Sequence, residues 1–193
     1  MSEQLDERPV LAFESAQAWR EWLKANHDKA LGVWVKIAKK ASGIATVTYQ
    51  EALEDALCFG WIDGQKRVYD DAYFIQKFTP RTKRSVWSKR NQEIVARLIS
   101  DGRMRGAGQE QIDLAKADGR WERAYDSPKN MQVPEDFLRE LAKDKKAEAF
   151  FRTLNKTNTF AIAWRLATAK KPETRQRRMR TLIEMLAREE KLH

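Results

Sequence analysis

Residues 48–79 read TYQEALEDALCFGWIDGQKRVYDDAYFIQKFT, and this stretch decides the fold class. Thr48 and Glu51 have the spacing of a capping box, in which each side chain satisfies a backbone N–H group at the start of a helix. The apolar residues that follow recur at helical spacing. Gly60 is the residue type that most often ends a helix in the left-handed conformation. The first part of the stretch therefore predicts a helix that ends at Gly60.

The rest of the stretch and its neighbours predict strands. Residues 61–69 and 72–79 are strand-like runs joined by Asp70-Asp71, which predicts a β-hairpin. Residues 32–38 alternate apolar and other side chains and predict a further strand. Ser15 precedes a helical pattern as a capping residue. These elements together predict an α+β fold with a small antiparallel sheet and flanking helices.

Beyond the hairpin the pattern becomes helical. Ser88 is positioned to cap a helix, and a short helix is expected around residues 112–117. A polar stretch with two prolines at 127–134 is typical of a linker. The remaining residues, 135–193, carry three apolar stripes at helical spacing. We therefore predict an α+β domain over 1–126 and a helical C-terminal region packed on it.

Composition places the chain among ordinary globular proteins. It has 193 residues, 42% of them hydrophobic, and a mean hydropathy of −0.72. Cys58 is the one cysteine, which excludes an intramolecular disulfide and favours a reducing compartment. No leader-like N-terminal segment and no run of about 20 apolar residues is visible. A cytoplasmic location without a membrane span is the expectation.

Enzyme and metal-site signatures are missing from the sequence. His27 and His193 are the two histidines, so neither a histidine-based triad nor a histidine-rich metal site can be assembled. Cys58 lies in an apolar helical pattern typical of a small core residue. We predict no catalytic residue, no metal and no cofactor, and favour a non-enzymatic protein.

The positive charge is concentrated. The net charge is +9, and residues 77–105 hold nine Lys or Arg residues against two Asp or Glu residues. A basic block that leads into a helix N-terminus is suited to an anion or a phosphate group. Asp63-Gly64 on a strand offers a carboxylate beside accessible backbone. The predicted ligand-binding residues are Asp63, Lys66, Arg67, Phe78, Arg81, Ser85, Trp87, Ser88 and Asn91.

Two other interpretations of the basic block stay open. Phe78 and Trp87 among cations would suit stacked bases of a single-stranded nucleic acid. Alternatively, Ser88 only caps its helix, Trp87 fills the core and the cations form a solvated face. A small anionic ligand or phosphate is thus one possible partner and nucleic acid another.

Four motifs carry a family resemblance. They are ALCFGWIDGQKR at 56–67, FTPR with SVWSK at 78–89, AKADGRW at 115–121 and AKKPETR at 169–175. In this order they resemble the YdeI/OmpD-associated family of bacterial proteins, often described as bacteriocin-protection proteins. The N-terminal part is similar in pattern to the YjbR and CyaY group of small α+β domains. The resemblance implies an antiparallel sheet with flanking helices and assigns no catalytic residues.

Overall fold

The computed structural model describes residues 4–126, 131–169 and 171–192. Two compact units are distinguished by their internal contacts. The first consists of Met1–Ser85 with Asn91–Glu122, and the second of Val86–Arg90 with Arg123–His193. Of the predicted linker, 127–134, the residues 127–130 lie outside the described ranges.

The first unit is built on a mixed sheet. Its strands are β1 (Gln4–Leu5), β2 (Arg8–Ala12), β3 (Val33–Ala38), β4 (Trp61–Val68) and β5 (Tyr73–Pro80). They lie in the order β1-β2-β3-β5-β4. The predicted hairpin is confirmed as β4–β5, and the pairs β1–β2 and β3–β5 are also antiparallel. The pair β2–β3 is parallel, so the sheet is mixed where a purely antiparallel one was expected.

The parallel pair results from a helical crossover. Helix α1 (Ala16–Asn26) lies between β2 and β3 in the chain and carries the chain back to the same end of the sheet. Ser15 accepts a hydrogen bond from the backbone N–H of Ala18 at 3.2 Å, which confirms the predicted cap. The α+β class predicted from the sequence is confirmed.

The predicted capping box is present at the start of α2 (Tyr49–Cys58). Thr48 Oγ1 accepts a hydrogen bond from the Glu51 N–H at 3.3 Å. A Glu51 carboxylate oxygen accepts from the Thr48 N–H at 2.9 Å. Gly60 follows the helix with a φ of 75°, which confirms the expected left-handed stop.

We expect Thr48→Ala to lower the free energy of unfolding by about 1 kcal/mol, because the hydroxyl that caps α2 is lost. Chemical denaturation measures the change. Thr48→Ser retains the hydroxyl and is the matched control, expected to lie close to the wild type. Equal stability of all three proteins would contradict a stabilising role for the box.

Aromatic side chains fill the space between the helices and one face of the sheet. Trp19 of α1 is fully buried, and its ring centroid lies 5.4 Å from that of Trp22 and 5.5 Å from that of Phe78. Its indole N–H donates to the main-chain oxygen of Ala52 on α2 at 3.0 Å. The face formed by Val33 and its alternate neighbours on β3 is therefore the core face of the sheet.

Two further helices follow the hairpin: α3 (Lys89–Ser100) and α4 (Gly106–Ala117). Helix α4 begins six residues before the helix expected at 112–117. Its first turn contains Gly106 and Gly108, which weaken a helical pattern in the sequence. At Gly108 a side chain would meet the main chain at the end of α2, since a Cβ there would lie 2.6 Å from Leu57 O.

The described residues of the second unit form four helices where three apolar stripes were expected. They are α5 (Glu135–Leu141), α6 (Lys145–Phe151), α7 (Lys156–Ala167) and α8 (Pro172–Ala187). Asp144 and Asn155 cap α6 and α7 with their side chains. Phe137, Leu141, Ile162 and Leu186 are almost completely buried in one apolar cluster.

Candidate functional site

The sheet of the first unit has a second face with a different composition. Successive side chains of a strand point to opposite faces, so Trp34 and Lys36 lie opposite to the core side of β3. In the β3–β5 register Trp34 is paired with Lys77. Arg67 of β4 and Lys36 are both paired with Ile75, which places Arg67 on this face too.

Arg8 completes this arrangement from β2. A Cβ at Gly32 would lie 2.8 Å from Arg8 Nε and 2.9 Å from Thr79 Cγ2, so the Arg8 side chain extends across Gly32. Only a residue without a side chain leaves that space, and Gly32 also has a φ of 142°. We refer to the surface formed by Arg8, Trp34, Lys36, Arg67 and Lys77 as the cationic face.

Three cations of this face converge on one carboxyl residue, Asp6. Arg67 Nη2 lies 3.5 Å and Lys77 Nζ 3.6 Å from Asp6 Oδ2. Arg8 Nη1 donates a hydrogen bond to the Asp6 main-chain oxygen at 3.0 Å. The Arg8 Nε atom is buried and has no hydrogen-bond partner among the described residues. Asp6 therefore occupies a position surrounded by positive charge.

Trp34 lies beneath these charges. The Arg67 guanidinium is 5.0 Å and the Lys77 ammonium 5.2 Å from the Trp34 ring centroid, which is cation–π distance. The indole N–H donates to the main-chain oxygen of Leu5 at 3.1 Å, and Trp34 is fully buried. The cations are thus held in place by the ring while their charges remain directed at Asp6.

The turn that carries Asp6 is conformationally unfavourable. Asp6 has a φ of 53° and Glu7 a φ of 62°, both in the left-handed region that favours glycine. These two residues connect β1 to β2. The contacts to Arg67 and Lys77 offset part of the cost of this turn. Side-chain exposure of 42% at Asp6 and 43% at Arg67 keeps the cluster accessible to solvent.

At its other end the cationic face is aromatic. Lys36 Nζ lies 4.0 Å from the ring centroid of Tyr69 and 4.2 Å from that of Tyr73. The nearest carboxylate, Asp70, is 3.9 Å away. Cations and aromatic rings therefore alternate along this face, a combination suited to anionic groups and to flat rings.

Of the residues predicted from the hairpin, Arg67 alone belongs to the cationic face. Asp63 is paired with Phe78 on the core face, and its carboxylate accepts a hydrogen bond from the Tyr49 hydroxyl at 2.8 Å. Lys66 is exposed and lies over the Phe74 ring at 4.1 Å. The structure does not bring Asp63 and Arg67 together, because they lie on opposite faces of the sheet.

The remaining predicted residues are mostly buried. In the first unit Phe78 is fully buried, and Arg81 and Asn91 are 6% and 8% exposed. Ser85 Oγ accepts a hydrogen bond from the Thr82 N–H at 3.0 Å and so stabilises a local turn. Burial of the Phe78 ring leaves no face on which a base could stack.

In the second unit Trp87 is 1% and Ser88 7% exposed. Both belong to a short backbone pairing with Tyr125: the Tyr125 N–H donates to Trp87 O at 3.0 Å, and the Lys89 N–H donates to Tyr125 O at 2.9 Å. The first N–H group of α3 is therefore already hydrogen-bonded.

Sequence reasoning missed Arg8, Trp34, Lys36 and Lys77 as members of one site. Lys77 is the first residue of the basic block, and Trp34 and Lys36 are the non-core residues of the predicted β3 alternation. This second alternation in the sequence indicates a basic and aromatic face. The contact of Asp6 with this face depends on strand order, for which no local signal exists.

Clusters of metal-ligating side chains and membrane-spanning helices are both missing from the described part of the chain. Within residues 4–126, 131–169 and 171–192, no group of three or more His, Cys, Asp or Glu residues is arranged to hold a metal ion. No helix in these ranges is long and apolar enough to cross a membrane.

Comparison with known proteins identifies two family models along the chain. Residues 11–111 match the model described as "Domain of unknown function (DUF8412)". Residues 130–189 match the model described as "Bacteriocin-protection, YdeI or OmpD-Associated". The second match supports the YdeI/OmpD-associated resemblance and contains one of its four motifs, that at 169–175. The similarity of the N-terminal part to the YjbR and CyaY group is not shown. No curated protein and no solved structure matches the chain.

Proposed function

The chain belongs to the family described as a domain of unknown function, DUF8412, and we propose that it is a non-enzymatic partner-binding protein. Its cationic face binds the carboxylate or phosphate groups of an anionic partner. The similarity of residues 130–189 to bacteriocin-protection proteins supports a bacteriocin-protection-like role. The observation that carries the binding proposal is the convergence of Arg8, Arg67 and Lys77 on Asp6.

Asp6 acts in this proposal as a built-in substitute for the ligand. A carboxylate held by an arginine and a lysine over an indole ring occupies the kind of position that an external carboxylate or phosphate takes. Both cations stay partly exposed, 43% for Arg67 and 19% for Lys77, so an incoming anion can reach them. Ion pairs of this exposure contribute little to stability, which makes Asp6 displaceable.

The partner that fits best is an acidic segment of a polypeptide. The substitute is itself the side chain of a polypeptide, so the aspartate and glutamate side chains of an acidic segment offer the same carboxylate group. A short acidic peptide with several glutamates is the probe, and binding is measured by fluorescence anisotropy.

We expect Arg67→Gln and Lys77→Gln each to weaken peptide binding about tenfold, because each removes a charge-assisted hydrogen bond. Lys40→Gln makes the same change of net charge at an exposed position that contributes to no described ion pair, and is the control. Asp6→Asn removes the competing carboxylate and is expected to strengthen binding. Equal affinities for Arg67→Gln, Lys77→Gln and Lys40→Gln would overturn the proposal.

Single-stranded nucleic acid is the second candidate, favoured by the aromatic residues Tyr69 and Tyr73 among the cations. It predicts that a labelled oligonucleotide binds more tightly than the peptide and that its affinity falls steeply with salt. The oligonucleotide could bind to the basic block 77–105 rather than to the cationic face. In that case the double variant Lys83→Gln/Arg84→Gln abolishes oligonucleotide binding, whereas Arg67→Gln does not.

A further inference from the structure

A cavity of about 350 Å³ lies in the first unit between α1, the end of α2 and the start of α4. Its lining includes Arg20, Lys24, His27, Phe59 and Arg105. A smaller pocket of about 170 Å³ shares three of these residues. A volume of this size is within the range of small-molecule sites. None of the lining residues belongs to the cationic face.

The cations of this cavity differ in how they are neutralised. Arg20 donates to both carboxylate oxygens of the buried Asp55, at 3.0 and 3.3 Å, and is held in place. Lys24 Nζ is paired weakly, since it lies 3.9 Å from Glu21 Oε2 and both side chains are largely exposed. The Arg105 main-chain oxygen accepts a hydrogen bond from the Gln109 N–H at 2.9 Å, but its side chain forms no hydrogen bond or ion pair with any described residue.

The other arginines near this site have carboxylate partners. The neighbouring arginines pair with Glu54, Arg97 at 2.6 Å and Arg103 at 2.8 Å. Burial opposes ionisation of Glu54, but hydrogen bonds from Gln50 and Arg103 and the charges of both arginines outweigh it and lower the Glu54 pKa. The positive charge beside this network is thus compensated, whereas that of Arg105 at the cavity is not.

Two aromatic rings, those of His27 and Phe59, also line the cavity. The His27 and Phe59 rings lie with centroids 5.2 Å apart. His27 Nδ1 is 3.0 Å from the main-chain oxygen of Leu23, an arrangement in which Nδ1 carries the proton and donates it. The second ring nitrogen is then left to interact with other groups. A flat apolar group can pack on these two rings.

We propose that this cavity binds a small organic anion, a carboxylate or a phosphate monoester, that carries a flat apolar group. The anionic group lies between Lys24 and Arg105, and the flat group packs on Phe59 and His27. This site is independent of the cationic face and of the partner proposed for it. The two anion classes share the chemistry that the cavity recognises.

The test uses the full chain and the imidazole resonances of His27 in NMR spectra, with the resonances of His193 as internal reference. The probes are phenyl phosphate and benzoate, and benzyl alcohol is the uncharged control. We expect a saturable shift of the His27 resonances with at least one of the two anions and none with benzyl alcohol. Saturation with one anion identifies the phosphate or the carboxylate class.

Two variants locate the bound anion. Arg105→Gln and Lys24→Gln are expected to lower its affinity about tenfold each, since each removes a charge-assisted contact. Lys40→Gln has the same change of net charge outside the cavity and should bind as the wild type does. Thermal unfolding confirms that each variant is folded. No saturable shift with either anion, or equal affinities for all three variants, would overturn the proposal whatever the result for the cationic face.

Discussion

Phe137→Ala is expected to destabilise the second unit by about 3–5 kcal/mol, because the ring is fully buried and its removal leaves a cavity among close-packed neighbours. Phe137 contacts an apolar cluster drawn from all four helices of the unit, and its ring centroid lies 6.1 Å from that of Phe151. The loss therefore affects the whole helical unit.

Hydrogen exchange of the amides in α5–α8 measures this loss directly. Leu138→Ala is the control, since the neighbouring Leu138 side chain is 39% exposed and its truncation should change stability by no more than about 0.5 kcal/mol. Equal protection in the two variants would show that Phe137 does not belong to the core of the unit.

Gly108→Ala should destabilise the first unit by about 2–3 kcal/mol, since overpacking at a main-chain contact forces helices apart. The added Cβ would lie 2.6 Å from Leu57 O, and a carbonyl at a helix end cannot move away as a flexible side chain can. Helix propensity alone predicts the opposite sign, a gain of up to about 1 kcal/mol. Chemical denaturation decides between the two effects.

Gly106→Ala is the matched control for this substitution. It is the first residue of α4, and a Cβ there would meet nothing within 4 Å. Its substitution is expected to leave stability unchanged or slightly increased. A similar effect of both substitutions would show that the contact between α2 and α4 is looser than the structure indicates.

The parts of the fold that the sequence predicted depend on local chemistry. The Thr48–Glu51 box, the left-handed Gly60 and the hairpin around Asp70-Asp71 each use residues within a few positions of one another. Strand β2 was not predicted, because Pro9 interrupts its pattern and its parallel partner β3 lies beyond α1 in the chain. The start of α4 was not predicted, because Gly106 and Gly108 weaken a helical pattern. The reason for glycine at position 108 is the close approach of α2, which a sequence pattern does not show.

The candidate site shows the same division. Arg67 was found from its motif, but its contact with Asp6 joins residues 61 positions apart. Lys77 is beside Trp34 only because β5 pairs with β3 in one register. The basic block predicted Arg81 and Ser88 as ligand-binding residues, but both are buried. Their burial results from tertiary packing, which a charge pattern does not show. Register and burial, both long-range properties, account for what could not be predicted.

The parallel pairing of β2 with β3 has a consequence for synthesis on the ribosome. These strands and α1 occupy residues 8–38 and emerge before the second partner of β3, since β5 begins only at Tyr73. At about 5–20 residues per second the intervening 39–72 segment takes roughly 2–7 s to translate. During that time one edge of β3, including Trp34 and Val35, has no strand to pair with, and unpaired edges promote aggregation. Slow codons between positions 39 and 72 would lengthen the time for which this edge of β3 is unpaired. A chaperone that covers strand edges would have its largest effect while this segment is being translated.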